Sequence, residues 1–355
     1  MRILDRLVAG QFLRLFAVSL VATPPLFILG EITEQLDNYV DLGLTGTQMA
    51  HGYLYRIPEY FVWSFPIAGL IAAIFTVHTM TAHHEIVAAK AGGISFHRLV
   101  LPILLLGAVL TAVAVALTEV VPRSNRIAFQ ILQNEDPRRS WRSDFVYQTE
   151  GGLTIAARRL TMDDARLSGV LVQQAATPER PALHVEASDA VYEEGLGWKL
   201  NLGIARSVSL EGQEAAFRFE TLRIPSLTER PSDLLDEPPD DEEMTYAELE
   251  RMARIIQRSG GTPYELLVKK EQRLAIPVAT LVIILFGAPL ATSSKRGGTA
   301  YGIGAALGTT ILYLLLFKVA GGFGTSGAIP HQVAAWTPNA AFLLAGLVLM
   351  VKVRT

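Results

Sequence analysis

Residues 85–99 read Glu-Ile-Val-Ala-Ala-Lys-Ala-Gly-Gly-Ile-Ser-Phe-His-Arg-Leu, a short polar segment between two long apolar runs. The runs at 61–80 and 99–121 are each about as long as a helix that crosses a hydrocarbon core of roughly 30 Å. The segment between them is too short to be a domain and too polar to lie in lipid. The sequence therefore predicts two membrane-spanning helices joined by a short amphipathic docking element.

The composition indicates a membrane protein with one sizeable soluble part. The 355 residues have a mean hydropathy of +0.32 and are 50% hydrophobic, yet 18% are charged, which is too many for a chain that lies wholly in a membrane. The charges concentrate between 123 and 273, where no apolar run is long enough to span a bilayer. The net charge of −3 gives no argument for nucleic acid, and without cysteine there are no disulfides or thiolate metal sites.

Six apolar runs have the length of a transmembrane helix. They cover residues 12–29, 61–80, 99–121, 274–290, 300–319 and 334–351. The first run is longer than the apolar part of a typical signal peptide and no small-residue cleavage pattern closes it, so we expect it to be retained.

Basic residues near the ends of the runs set the expected orientation. If six helices alternate in direction, one side carries Arg2, Arg6, Lys90, Arg98, Lys295, Arg296, Lys352 and Arg354, and that side should be cytoplasmic. Both termini are then cytoplasmic. A loop at 31–60, the soluble region and a turn at 321–334 face outward.

The soluble region is predicted to be mostly β-structure. Short, partly alternating runs bounded by turn residues lie at 153–157, 167–173, 183–192, 197–202, 205–210 and 216–224. Such regular short strands favour a sandwich or jelly roll. An acidic segment at 233–243 is interpreted as a solvated spacer, and Thr245 with Glu248 predicts a capping box that begins a helix.

These elements predict an α-helical membrane protein with six transmembrane helices and an extracytoplasmic all-β, jelly-roll-like domain inserted between helices 3 and 4. The expected parts are 1–122 with a docking helix at about 84–97, the β domain at 123–244, a connecting helix at 245–270 and the last three spans at 271–355.

The sequence offers no catalytic or metal-binding set. It contains no Walker A loop, no Ser-His-Asp set, no His-Glu-x-x-His motif and no glycine-rich dinucleotide fingerprint. We therefore expect a non-catalytic chain that binds no cofactor or metal of its own. Two charges near span ends, Glu31 and Lys318, follow long uncharged runs, where a bare charge is costly. They either have a function or reach the polar interface.

Several short motifs, together with the arrangement of three spans, a β domain and three spans, resemble one family over essentially the whole chain. The motifs are Leu4-Asp5-Arg6, Glu85 with Ala89 and Gly93-Ile94-Ser95, Lys270 seven residues before Pro277, Leu-Phe-Gly-Ala-Pro-Leu at 285–290, and Trp336-x-Pro338-Asn339. The sequence is similar to the LptF/LptG (YjgP/YjgQ) permeases, membrane subunits of the lipopolysaccharide-export ABC transporter.

The resemblance implies a non-catalytic permease of the bacterial inner membrane, with its β domain in the periplasm. The implied partners are a second LptF/LptG-type permease, two copies of an LptB-type ATPase that consumes the ATP, LptC/LptA-type periplasmic bridge proteins and lipopolysaccharide. The segment that matches the family's coupling helix would dock on the ATPase through Glu85, Ile86, Ala88, Ala89, Lys90, Gly92, Gly93, Ile94 and Arg98.

The lipid-contacting residues are where this sequence departs from the family. Family members often carry a basic residue near the outer end of the first helix, whereas this chain has Glu31 and Glu34 there. The departure shifts the expected phosphate contact to Lys318 and Arg56, and Lys318 could instead pair with Glu31.

Two other classes of protein remain open at this stage. A secondary transporter would use the intramembrane charges to couple to ions, although the sequence lacks paired broken-helix signals. A membrane-anchored assembly scaffold would use its β domain only to bind protein. Co-purification with an ATPase, and ATP hydrolysis stimulated by lipopolysaccharide, would separate the permease from both.

The predicted orientation can be tested in this cysteine-free chain by introducing single cysteines. A cysteine at Ser207 should react with a membrane-impermeant maleimide in intact spheroplasts, whereas one at Ser294 should not, because the basic loops are expected to be cytoplasmic. The reverse labelling pattern would overturn the orientation and the direction of transport.

Overall fold

The computed structural model describes residues 3–133, 141–149, 152–176, 181–209, 213–235, 240–258, 261–293 and 298–353. These residues form two compact units. The helical unit comprises Met1–Asn134, Asp240–Ala253 and Pro263–Thr355, and the β unit comprises Glu135–Pro239 and Arg254–Thr262. Several residues used above lie outside the described ranges: Arg2, Ser294, Lys295, Arg296 and Arg354.

Eleven α-helices are present in the described part of the chain. They are α1 (Ile3–Ala22), α2 (Pro24–Asp41), α3 (Gly46–Ala82), α4 (Glu85–Ala91), α5 (Phe96–Leu117), α6 (Val121–Leu132), α7 (Pro231–Leu235), α8 (Tyr246–Arg258), α9 (Tyr264–Leu290), α10 (Gly298–Thr325) and α11 (His331–Lys352). Six helical segments among them are long and apolar enough to cross a membrane, with α1 and α2 counted as one. The six predicted spans are therefore confirmed.

The predicted loop at 31–60 was wrong, because both helices that flank it continue through most of that range. The first span bends at Thr23, where Pro24 and Pro25 cannot donate backbone hydrogen bonds, and then runs on to Asp41. A capping box between Thr45 and Gln48 begins α3 only five residues after α2 ends.

An apolar cluster holds these two helical extensions against each other. It is formed by Tyr39, Leu44, Tyr53, Tyr60 and Leu132, and the hydroxyl of Tyr53 donates to that of Tyr39 at 3.2 Å. The tyrosines of this cluster come from α2 and α3, Leu44 from the connection between them and Leu132 from α6, and the sequence periodicity did not reveal this packing.

The second and fourth spans, α3 and α9, form the centre of the helical unit. In the apolar part of α3, 72% of the residues are buried, against 22% for the first span and 28% for α10. Gly69 and Gly287 allow α3 and α9 to approach closely, since a Cβ at either position would press on Ile284 or Leu70 of the facing helix. The first and fifth spans are consequently peripheral, with much of their apolar surface uncovered.

The β unit contains one antiparallel sheet of six strands. The strands are β1 (Trp141–Gln148), β2 (Leu153–Thr161), β3 (Arg166–Gln174), β4 (Ala182–Glu193), β5 (Gly197–Val208) and β6 (Glu214–Arg223), and each pairs with the next in chain order. The inserted all-β domain is confirmed. The described strands form a consecutive meander, since each pairs with its neighbour in the chain, whereas a jelly roll would divide its strands between two sheets.

A line of unpaired positions crosses the whole sheet, one on each strand, and we call it the crease. It consists of Asp144, Arg158, Gly169, Ser188, Leu202 and Glu220. Asp144, Gly169 and Leu202 have positive φ. In β2 the buried positions are Leu153, Ile155 and Ala157 before the crease, and Leu160 after it. The unpaired residue shifts the alternation of buried and exposed side chains by one position along each strand, so that the same face of the sheet stays buried on both sides of the crease.

The crease explains the main difference between the predicted and observed strands. The runs at 197–202 and 205–210 were predicted as two strands because each is a short, partly alternating run bounded by turn residues. They form the single strand β5, which passes through the crease at Leu202 and has no chain reversal there.

Close packing beside the crease gives a stability prediction. A Cβ on Gly203 would press on the backbone carbonyl of Glu186 and the ring of Phe219. We expect Gly203→Ala to destabilise the β unit by about 1–3 kcal/mol, as overpacking does. Pulse proteolysis in a urea series measures this.

The matched control is the neighbouring residue Leu202, which is 64% exposed and has φ of 50°. Leu202→Gly removes the strain of a left-handed leucine and should leave stability unchanged or raise it by about 1 kcal/mol. Equal loss in both variants would contradict this account of the crease.

Candidate functional site

The predicted docking element is a short, exposed helix that packs on the apolar core of the helical unit. Helix α4 covers only Glu85–Ala91, because Gly92 caps it and Gly93 has φ of 79°. The docking helix is thus shorter than the predicted 84–97. Ile86 is buried in the main apolar core of the helical unit and fixes α4 to the spans.

The remaining predicted docking residues lie at or near the surface. Exposed positions are Glu85, Ala88, Gly92 and Gly93, and half-buried positions are Ala89, Lys90 and Ile94. With one apolar anchor beneath and small side chains above, a groove on another protein can approach the backbone of α4 closely.

Arg98 has a defined internal partner. Its guanidinium donates two parallel hydrogen bonds to the carboxylate of Asp5, at 3.0 and 2.9 Å, and we call this pair the fork. Ser95 begins α5 by accepting from the Arg98 amide at 3.3 Å, which holds Arg98 at the first turn. The fork therefore ties the end of the docking segment to the beginning of the first span.

A second charged cluster surrounds Arg56 in the N-terminal part of α3. Arg56 is 8% exposed and forms ion pairs with Glu31, with Glu59 at 2.9 Å and with Glu242 at 2.9 Å. The hydroxyl of Tyr60 donates to Glu31 at 2.5 Å. Carboxylates from α2, α3 and the segment before α8 thus meet at one guanidinium, which we call the Arg56 cluster.

The segment that supplies Glu242 is a single 3-10 turn, Asp241–Glu243, fixed on the helices around it. Lys269 forms an ion pair with Asp241 at 3.0 Å, and Arg273 donates to the backbone carbonyl of Asp241 at 2.9 Å. Asn125 of α6 donates to Glu59 at 3.0 Å and to the carbonyl of Glu242 at 3.3 Å.

The prediction that 233–243 is a solvated spacer was therefore wrong for its last three residues, and 236–239 lie outside the described range. These acidic residues pack on the helices because basic side chains of α3 and α9 form ion pairs and hydrogen bonds with them. The capping box predicted after this segment is confirmed: the Thr245 amide donates to Glu248 at 2.7 Å, and the Glu248 amide donates to the Thr245 hydroxyl at 3.3 Å.

Two carboxyl groups near this segment have opposite pKa shifts. Burial, together with the charge of Glu59, raises the pKa of Glu242 to about 7. Burial alone would also raise the pKa of Glu248, but hydrogen bonds from Thr245 and Arg126 lower it to about 2. Glu248 is thus a permanent anion, and Glu242 titrates near neutral pH.

The structure brings together two of the four lipid-binding candidates, Glu31 and Arg56. Glu31 pairs with Arg56 and not with Lys318, which is exposed on α10 and has no ion-pair partner among the described residues. Glu34 is also exposed. Lys318 lies next to the end of an apolar stripe on α10. The stripe occupies every fourth position and consists of Ile303, Leu307, Ile311, Leu315 and Val319, each about half exposed or more.

Sequence reasoning missed the partners that complete the Arg56 cluster. Glu59, Asn125, Glu242 and Arg273 come from α3, α6, the acidic segment and α9. Glu59 is three residues from Arg56, a spacing typical of an ion pair on one helix face, and this signal was available. The other contacts join positions at least 31 residues apart and have no local signal.

Six membrane-capable helical segments and an inserted antiparallel β domain define a polytopic membrane protein. The family model for the lipopolysaccharide export system permease LptF/LptG matches residues 6–352, so the chain belongs to this family. A search of curated proteins gave no match. Family membership makes the chain a transport component of lipopolysaccharide export.

The Arg56 cluster predicts a large asymmetry between its members. Arg56→Gln leaves three carboxylates partly buried without their cation, and we expect it to lower the free energy of unfolding of the helical unit by about 3–5 kcal/mol. Denaturation of the purified chain in detergent, followed by proteolysis of α3, measures this loss.

The control is Glu242→Gln, which removes the carboxyl that titrates near pH 7. Because the folded state binds this proton more tightly than the unfolded state, its contribution to stability falls as pH rises from about 4.5 to about 7. Glu242→Gln should abolish that fall and cost little at pH 8. A wild-type-like pH profile in Glu242→Gln, or a neutral Arg56→Gln, would contradict the described electrostatics.

Proposed function

We propose that this chain is one permease half of an ATP-driven exporter that extracts lipopolysaccharide from the inner membrane and passes it to a periplasmic bridge. Its partners would be a second LptF/LptG-type permease, two copies of an LptB-type ATPase and LptC/LptA-type bridge proteins. The observation that carries the proposal is the exposed docking helix α4, which is joined to the first span by the fork. ATP is consumed by the partner, and this chain binds no cofactor.

The fork supports a mechanical coupling. Closure of the ATPase pair would displace α4, and the two parallel hydrogen bonds between Arg98 and Asp5 would transmit the displacement to α1. The first span can respond because it is peripheral, with only 22% of the residues in its apolar part buried. The bend at Thr23 allows its two halves to move differently.

Lipopolysaccharide would bind on the outer half of the first and fifth spans. The exposed stripe of α10 offers apolar surface for acyl chains, whose burial is worth about 0.8 kcal/mol for each CH₂ group. Release of the lipid therefore needs a change in the shape of the surface that binds its acyl chains. Since three carboxylates already neutralise Arg56, the exposed Lys318 is the better phosphate contact of the two.

The proposed orientation places both termini and α4 in the cytoplasm and the β unit in the periplasm. It rests on the basic residues of the short loops, among them Arg6, Lys90 and Lys352. The Arg56 cluster then lies at the periplasmic end of α3.

Charge reversal in the docking helix tests the coupling to an ATPase. Glu85 is exposed at the first turn of α4, and Glu85→Lys should weaken co-purification of the ATPase subunit because it reverses a charge in the contact. Glu186→Lys, an exposed carboxyl of the β unit, is the control and should leave co-purification unchanged. Undiminished ATPase binding and transport in Glu85→Lys would count against docking through α4.

Charge reversal on α10 tests the proposed phosphate contact. Lys318→Glu should reduce photocrosslinking of lipopolysaccharide to the fifth span several-fold, because the cation that meets the phosphate becomes an anion. Lys318→Gln should have an intermediate effect. If both variants crosslink and transport like the wild type, Lys318 only reaches the interface and the contact should be abandoned.

A further inference from the structure

A groove of about 580 Å³ lies between the first two thirds of α1 and the last third of α3, whereas Arg56 lies in the first third of α3. Its wall on α1 carries Arg6, Gln11 and Arg14, and its wall on α3 carries Phe75 and Thr79. Both arginines are exposed, and neither has an ion-pair partner among the described residues. The protein therefore presents two unneutralised guanidinium groups on one face of its first span.

The position of Arg14 makes this arrangement costly without a ligand. Arg14 lies within the apolar part of a span, between Leu13 and Leu15. Arginine in a transmembrane segment normally faces the bundle interior, pairs with an acid or meets water. Here it is on an uncovered face, which indicates that a molecule from outside the chain supplies the negative charge.

The two arginines are close enough to act together. They are eight residues apart, about 12 Å along the helix axis, and both line the same groove, so two long, flexible side chains can reach one headgroup between them. Gln11 lies between them in sequence and adds an amide donor. No carboxylate is among the described residues that line the groove.

The apolar parts of the groove are suited to an amphiphile. Leu7 and Leu15 on α1 and Phe75 on α3 line it beside the cationic groups. A phosphodiester can accept hydrogen bonds from both guanidinium groups while acyl chains lie along the apolar wall. A free anion would use only the cationic part of the groove.

From this geometry we propose that Arg6 and Arg14 bind the phosphate of an acidic glycerophospholipid of the cytoplasmic leaflet. The leaflet rests on the proposed orientation, but binding in detergent does not depend on it. Because Arg6 is adjacent to Asp5 of the fork, a lipid bound here would stabilise the part of α1 that receives the movement of the docking helix.

The test is lipid binding to the full-length, delipidated chain in detergent, measured by native mass spectrometry. Dioleoyl phosphatidylglycerol should bind more tightly than dioleoyl phosphatidylcholine. Arg6→Gln and Arg14→Gln should each weaken phosphatidylglycerol binding about five-fold, and the double variant roughly twenty-fold, as expected for loss of one and two cations beside an anionic headgroup. Lys352→Gln, an exposed cation expected on the same side of the membrane, is the matched control and should bind like the wild type.

Arg14→Lys keeps the charge and should retain most of the binding, which separates loss of the site from loss of the fold if Arg14→Gln is unstable. Equal binding of the two lipids, or an unchanged affinity in Arg14→Gln relative to Arg14→Lys, would overturn the proposal. So would variants that keep phosphatidylglycerol binding but lose a co-purifying permease, because the groove would then be a protein interface. Reversed labelling of cysteine variants would alter only the leaflet and the transport direction.

Discussion

The burial of Arg56 is the constraint on which the packing around the N-terminal part of α3 depends. A guanidinium cannot give up its proton in a protein, so its charge must be balanced where it lies. The balance comes from Glu31, Glu59 and Glu242, and these residues belong to three separate segments of the chain. The cation sits 5.6 Å from the ring of Tyr60 and 5.2 Å from that of Phe129, which adds aromatic contact to the ion pairs.

The cluster also explains how the chain re-enters the spans after the β unit. Residues 241–243 are anchored by Arg56, Lys269 and Arg273, and α8 and α9 follow directly. A buried ion pair is weak evidence for high stability, but it is specific, because any other register would leave charges unpaired. The fork is a second ionic contact, and it joins the beginnings of α1 and α5. The helical rise of α3 from Arg56 to its C-terminal end is roughly 40 Å. Two separate groups of ion pairs thus stabilise the helical unit, and the peripheral first span takes part in both, through Glu31 and Asp5.

Much of the fold was predictable because a bilayer imposes length and composition on every span. The six apolar runs, the inserted β region and the capping box at Thr245 follow from such local signals. The helical extension over 31–60 was missed because polar residues there are interpreted as loop, although Tyr39 and Tyr53 pack against each other. The prediction of two strands in place of β5 was wrong because the crease interrupts the alternation of buried residues at Leu202 within one strand. The pairing that continues across the crease involves all six strands, and the sequence of one strand alone does not show it.

The site was predictable only in part, for a similar reason. The polarity of 85–99 indicated a short connection between two spans, but the partner of Arg98 lies 93 residues away in sequence. The charges at Glu31 and Lys318 were recognised as costly, yet Glu31 is balanced by Arg56, which the spacing of apolar residues does not indicate. Arg6 was interpreted as an orientation signal alone, and only the packing of α1 on α3 shows that it shares a groove with Arg14.

The central claim is that the fork carries movement from the docking helix to the first span. It is tested most directly by lipopolysaccharide release from proteoliposomes containing the assembled transporter, with ATP hydrolysis measured in the same sample. Asp5→Arg and Arg98→Asp should each reduce release about ten-fold while hydrolysis continues, and the double exchange should restore most of the release because the ion pair is re-formed in reverse. Normal release in both single variants would contradict the claim, as would an assembled double exchange that hydrolyses ATP without restored release.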